Sequence, residues 1–120
     1  MNDAADRYRK RVVDRVLGGP AATPGAARRA AFDNHGVDER VRALVDKVAR
    51  SAWNVTDADV STAQAAGMSD DEIFELVIAA ALGQSTRQLD AALAALDAAT
   101  HAGDAPSSEH GAIREEGETR

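Results

Sequence analysis

Apolar residues recur along this chain in short blocks with helical spacing, and polar punctuation separates the blocks. The clearest block is Val41, Leu44, Val45, Val48 and Ala49. That i, i+3, i+4, i+7, i+8 pattern draws one buried face on a helix that Asp38 would cap and that runs to about Ala52, with Arg40, Arg42, Asp46, Lys47 and Arg50 on the other side. The longest block begins at Ile73 and runs to about Ala99. Leu76 to Leu82 is apolar on every side, and Leu82, Leu89, Leu93 and Leu96 form a second stripe. A helix of that kind needs to be surrounded by other helices, which predicts oligomerisation through 70–100. Gly83 in its middle predicts a kink or a close helix crossing, since Gly weakens a helix by about 1 kcal/mol relative to Ala.

Capping signals set the helix starts. Ser69 and Glu72 have capping-box spacing, and Met68 and Ile73 stand where a hydrophobic staple needs them. Gly67 before them predicts the end of the preceding helix. The same grammar occurs thirteen residues earlier. There Thr56 would cap, Asp59 would answer it, and Val55 would pack on Val60, starting a short helix from Asp57 to Ala66. Further upstream, Asn2 to Leu17 reads as a helix with Tyr8, Val12, Val13, Val16 and Leu17 on its apolar side, stopped by Gly18-Gly19-Pro20. Thr23-Pro24 then reads as an N-cap and first helical residue of a short helix to Asn34. Gly36 ends it, with His35 at the negative end of the helix dipole. The expected fold is therefore all-α, about five helices in a bundle.

Composition supports this and narrows the chemistry. Only 3% of the 120 residues are aromatic and Ala dominates the apolar set, which favours helices packed closely through small side chains. The net charge of −6 argues against a nucleic-acid or anionic-membrane surface. The five-to-three excess of basic over acidic residues in the first helix reads as a solvated face. With no Cys, disulfides, thiolate catalysis and Cys-ligated metals are excluded. Three His without a His-x-x-x-His or Glu-x-x-His pair predict no metal site, and no cofactor motif is present. The polar N-terminus and the lack of an apolar run of ~20 residues predict a cytoplasmic protein with no membrane partner. From Gly103 onward Ile113 is nearly the sole apolar residue, and five acids face two bases. That predicts a disordered acidic tail, in which His110 has no role.

At Asp59-x-x-x-Ala63-x-x-x-Gly67, followed by Ser69-Asp70-Asp71-Glu72-Ile73, the chain resembles the alkylhydroperoxidase AhpD-like family, which includes carboxymuconolactone decarboxylases. The resemblance covers about Asp38 to Leu96. It implies an all-helical core that assembles as oligomers, and an organisation with an N-terminal extension over 1–36, a core over 37–102 and a tail over 103–120. Redox members carry Cys-x-x-Cys-x-x-x-His before the Ala-x-x-x-Gly spacing. Here those positions fall on Ala52, Val55 and Asp59. Without a thiolate no peroxide chemistry remains. The resemblance then implies a non-peroxidase oligomeric scaffold or small-molecule binder. Its alternative is a cofactor-free lyase or isomerase acting on a small organic acid. The catalytic candidates for that alternative are Asp59 as a base and Arg87 as a carboxylate clamp, with Trp53, Asn54, Gln84 and Gln88 lining a pocket. Three of these also have a plain structural role: Asp59 in the capping box, Arg87 in a surface or intersubunit ion pair, Trp53 as a core or interface anchor.

Overall fold

In a computed structural model of the chain, the backbone is described for residues 3–113 and the side chains for residues 3–101. Five α-helices follow one another: α1 (Asp3–Gly18), α2 (Gly25–Asp33), α3 (Arg42–Ser51), α4 (Asp57–Ala65) and α5 (Asp70–Ile113). A 3-10 turn, Ala52–Asn54, joins α3 to α4. The described residues contain no strand. The tail expected over 103–120 lies outside the described side chains, and 114–120 outside the described backbone as well.

The chain divides into two compact units, 1–86 and 87–120. The first holds the core. Val37, Val41, Leu44, Val45, Ala63, Met68, Ile73, Leu76, Ala79 and Ala80 bury together, and Ala31 of α2 joins them. Val16, Ala27 and Ala30 pack on the same cluster. α1 and α2 thus pack on the same core through these residues. The second unit is the distal part of α5. In its described portion Leu89 and Leu96 are exposed and Leu93 is half-buried.

Both capping boxes form. Glu72 N–H donates to Ser69 Oγ at 3.1 Å, and Ser69 N–H donates to Glu72 Oε1 at 2.8 Å. Thr56 N–H donates to Asp59 Oδ2 at 2.9 Å. Met68 and Ile73, the staple pair, are both buried. Two helices end in the same hydrogen-bonded way. After α4, Met68 N–H reaches Ala63 O and Gly67 N–H reaches Gln64 O, with Gly67 at φ 100°. After α2, His35 N–H reaches Ala30 O and Asn34 N–H reaches Ala31 O. Here Asn34 takes the left-handed position at φ 52°, because its short amide side chain tolerates that conformation better than most residues.

Three local expectations change. Thr23 does not cap α2; its hydroxyl donates to the Glu75 carboxylate instead, and Pro24 occupies the cap position. Asp38 does not cap α3, which starts at Arg42. Its carboxylate instead accepts the Arg40 N–H at 2.9 Å and pairs with the Arg40 guanidinium. That contact holds the Asp38 carboxyl down to about 2. The side of α1 read as apolar is only partly covered: Tyr8 is 65% exposed and Val12 50%.

Gly83 lies against the backbone of Phe32. It is buried, and a Cβ at this position would fall 1.9 Å from the Phe32 carbonyl oxygen. The expected close crossing is therefore α5 against the end of α2. Substituting Gly83→Ala should lower unfolding free energy by roughly 3 kcal/mol or more, because the obstacle is backbone and cannot rotate away. The better helix propensity of Ala offsets only about 1 kcal/mol of this. Urea denaturation checks the prediction; a G83A protein as stable as the parent would contradict it.

Candidate functional site

The crossing of α2 and α5 gathers the few polar groups buried in the first unit. Arg28, in the middle of α2, is 6% exposed, as is Thr23. Arg28 Nη1 donates to Val16 O at 2.6 Å and Nη2 to Thr23 O at 3.4 Å, while its Nε is buried without an acceptor. Glu75, on α5, accepts from Ala22 N–H at 2.8 Å, Thr23 N–H at 2.8 Å and the Thr23 hydroxyl at 2.6 Å. The Thr23 hydroxyl bond holds the Glu75 carboxyl below its usual range. Partial burial opposes this, and the two backbone N–H groups and the Arg28 charge add to it. The loop 19–24 between α1 and α2 is pinned to α5 by this knot.

A cleft of about 240 Å³ opens beside the knot. Val16, Pro20, Ala21, Phe74 and Ile78 line it with apolar surface, and Arg15, Arg28 and Glu75 add charge. Phe74 is 65% exposed and Ile78 40%. On its other side Phe74 borders a second cleft of about 350 Å³, shared with Val60, Gln64, Asp70, Ile73 and Val77. A more polar cleft of about 480 Å³ lies between α2 and α3. Its charges answer each other: Arg50 Nε sits 2.8 Å from Asp46 Oδ1, and Asn34 Nδ2 donates to the same oxygen at 3.1 Å.

Sequence reasoning placed a site elsewhere, around Asp59 and Arg87. Asp59 is held by Lys47, whose Nζ donates to both carboxylate oxygens at 3.0 and 2.9 Å, and by the Thr56 N–H. The Lys47 contact first, then the Thr56 bond, keeps its carboxyl below the usual range. Trp53 and Asn54 lie in the 3-10 turn, and Trp53 is 81% exposed. Gln84 is half-buried on α5, next to Gly83. Arg87 and Gln88 are exposed and belong to the second unit. Nearby, Ala52 is exposed and Val55 packs half-buried against the core. Asp59 is thus joined to Thr56 and Lys47 by hydrogen bonds.

The Arg28–Thr23–Glu75 knot was missed from the sequence. Its signal is an acid inside the apolar run Ile73-Phe74-Glu75-Leu76-Val77 and an arginine among the alanines of α2. Charges at such positions are buried only when paired. No group of three or more His, Asp or Glu side chains among the described residues is placed to hold a metal ion. No helix among them is long and apolar enough to cross a membrane. No family model, curated protein or solved structure matches the chain.

The knot predicts a pH dependence. Folding depresses the Glu75 pKa, so its stabilising contribution is present above the unfolded carboxylate value of about 4.3. It is lost as pH falls through the lower folded value. Glu75→Gln should therefore be less stable than the parent at neutral pH, and the gap should narrow on acidification. Urea midpoints at pH 7 and pH 3 measure this; a gap that is constant or widens in acid would refute it.

Proposed function

We propose that this protein is a non-catalytic helical scaffold that works as a homo-oligomer and associates through α5. The exposure of Phe74 and Ile78, one turn apart on the same face of α5, carries the reading. Contiguous exposed apolar surface flanked by clefts is typical of an interaction site. Covering it contributes about 25 cal/mol for each Å² removed from water. The charged groups point the same way. Asp59 and Glu75 are both ionised and hydrogen-bonded within the fold, which suits structural carboxylates better than a base poised for proton transfer near neutral pH. The AhpD-like resemblance is part of this proposal, and rests on Asp59, Ala63, Gly67 and the Ser69–Ile73 helix start.

Sedimentation equilibrium of the purified protein at micromolar concentration tests the reading. The expected result is a mass at least double the 12.6 kDa of one chain. A single species at the mass of one chain would overturn it.

A further inference from the structure

We propose that the exposed face of α5 docks a second copy of this chain across a two-fold axis, with Phe74 of each copy seated in the cleft beside the other's Phe74. The inference rests on the oligomeric reading above and adds the surface and the geometry.

Knob and hole are adjacent on the molecule. Phe74 projects, at 65% exposure, from one wall of the 240 Å³ cleft, and Ile78 extends the same wall. An apolar cavity of about 150 Å³ holds a benzene molecule, so the cleft has room for a phenyl ring. A surface carrying both halves of the contact side by side is self-complementary. A two-fold axis then satisfies both copies at once, and the assembly closes at a dimer.

Charge complementarity selects the same arrangement. Two α5 helices crossing antiparallel at Phe74 bring position 70 of one copy towards position 78 of the other. Asp70 lies one turn before Phe74, and Arg15 lines the cleft together with Ile78. The crossing therefore brings an acid of each copy towards a base of its partner. Arg28 also lines the cleft, where its desolvated guanidinium offers a cation–π contact to the entering ring.

Sedimentation velocity across a dilution series, on the full chain, is the test. Phe74→Asp should weaken the dimer at least about 30-fold, as loss of a central aromatic anchor does. Its helical circular dichroism should stay at the parental value, because the side chain is mostly outside the core. Leu96→Asp, in the second unit, should leave association unchanged. Arg15→Asp alone should weaken the dimer, and combining it with Asp70→Arg should restore it. A Phe74→Asp protein that still dimerises while Leu96→Asp or Trp53→Asp dissociates overturns this surface and leaves the oligomeric reading standing. A charge-swapped double variant no tighter than Arg15→Asp overturns the antiparallel crossing. A parent that is monomeric throughout overturns both.

Discussion

The absence of a side chain at position 83 permits the approach on which this fold depends. With a Cβ 1.9 Å from the Phe32 carbonyl excluded, α5 can lie against the end of α2 only through Gly. The neighbouring core residues are correspondingly small: Ala31 on α2, Ala79 and Ala80 on α5, all completely buried. This is how a chain with so few aromatics fills a core. Helices come close enough for alanine contacts, and the larger Val41, Leu44, Val45, Met68, Ile73 and Leu76 fill what lies beyond. Arg28 stands one turn before Phe32, and the knot it forms with Thr23 and Glu75 ties the preceding loop to α5. Moving α5 away from α2 would break that knot as well as the alanine contacts.

The parts of the fold governed by local chemistry were readable in the sequence. Ser69 with Glu72, Thr56 with Asp59, and Met68 with Ile73 each act within a few residues, so spacing was sufficient. The buried face of α3 followed from periodicity alone. Thr23 and Asp38 were misread for a common reason. Each matches the N-cap preference, but another partner competes: a carboxylate 52 residues away for Thr23, and the Arg40 backbone and guanidinium for Asp38. Local rules do not rank a cap against a tertiary hydrogen bond. Trp53 illustrates a different gap. Its apolar area suggested a core or interface anchor, and the 3-10 turn places it outside the core of one chain, at 81% exposure. At Asp59 the bond to Thr56 was legible from spacing, but the partner Lys47 was not. Lys47 lies twelve residues upstream on another helix, and only the packing of α3 on α4 brings it to the carboxylate.

Within the first unit the ionised groups are largely answered from inside the fold. Glu75 has three donors, Asp59 has Lys47 and Thr56, and Asp46 has Arg50 and Asn34. Phe74 and Ile78, beside the cleft, are apolar and left uncovered, and a protein in water gains by covering such surface. That contrast between satisfied charges and an unsatisfied apolar face is the physical basis for reading the chain as a self-associating scaffold.

The chain contains two phenylalanines, Phe32 buried and Phe74 exposed, so fluorine labelling of phenylalanine gives one internal probe and one surface probe. Fluorine NMR over a dilution series tests the claim that Phe74 is covered by a second copy. The account predicts that the Phe74 resonance moves with concentration towards a buried environment while the Phe32 resonance stays fixed. Two resonances that are both independent of concentration would contradict it, as would movement confined to Phe32.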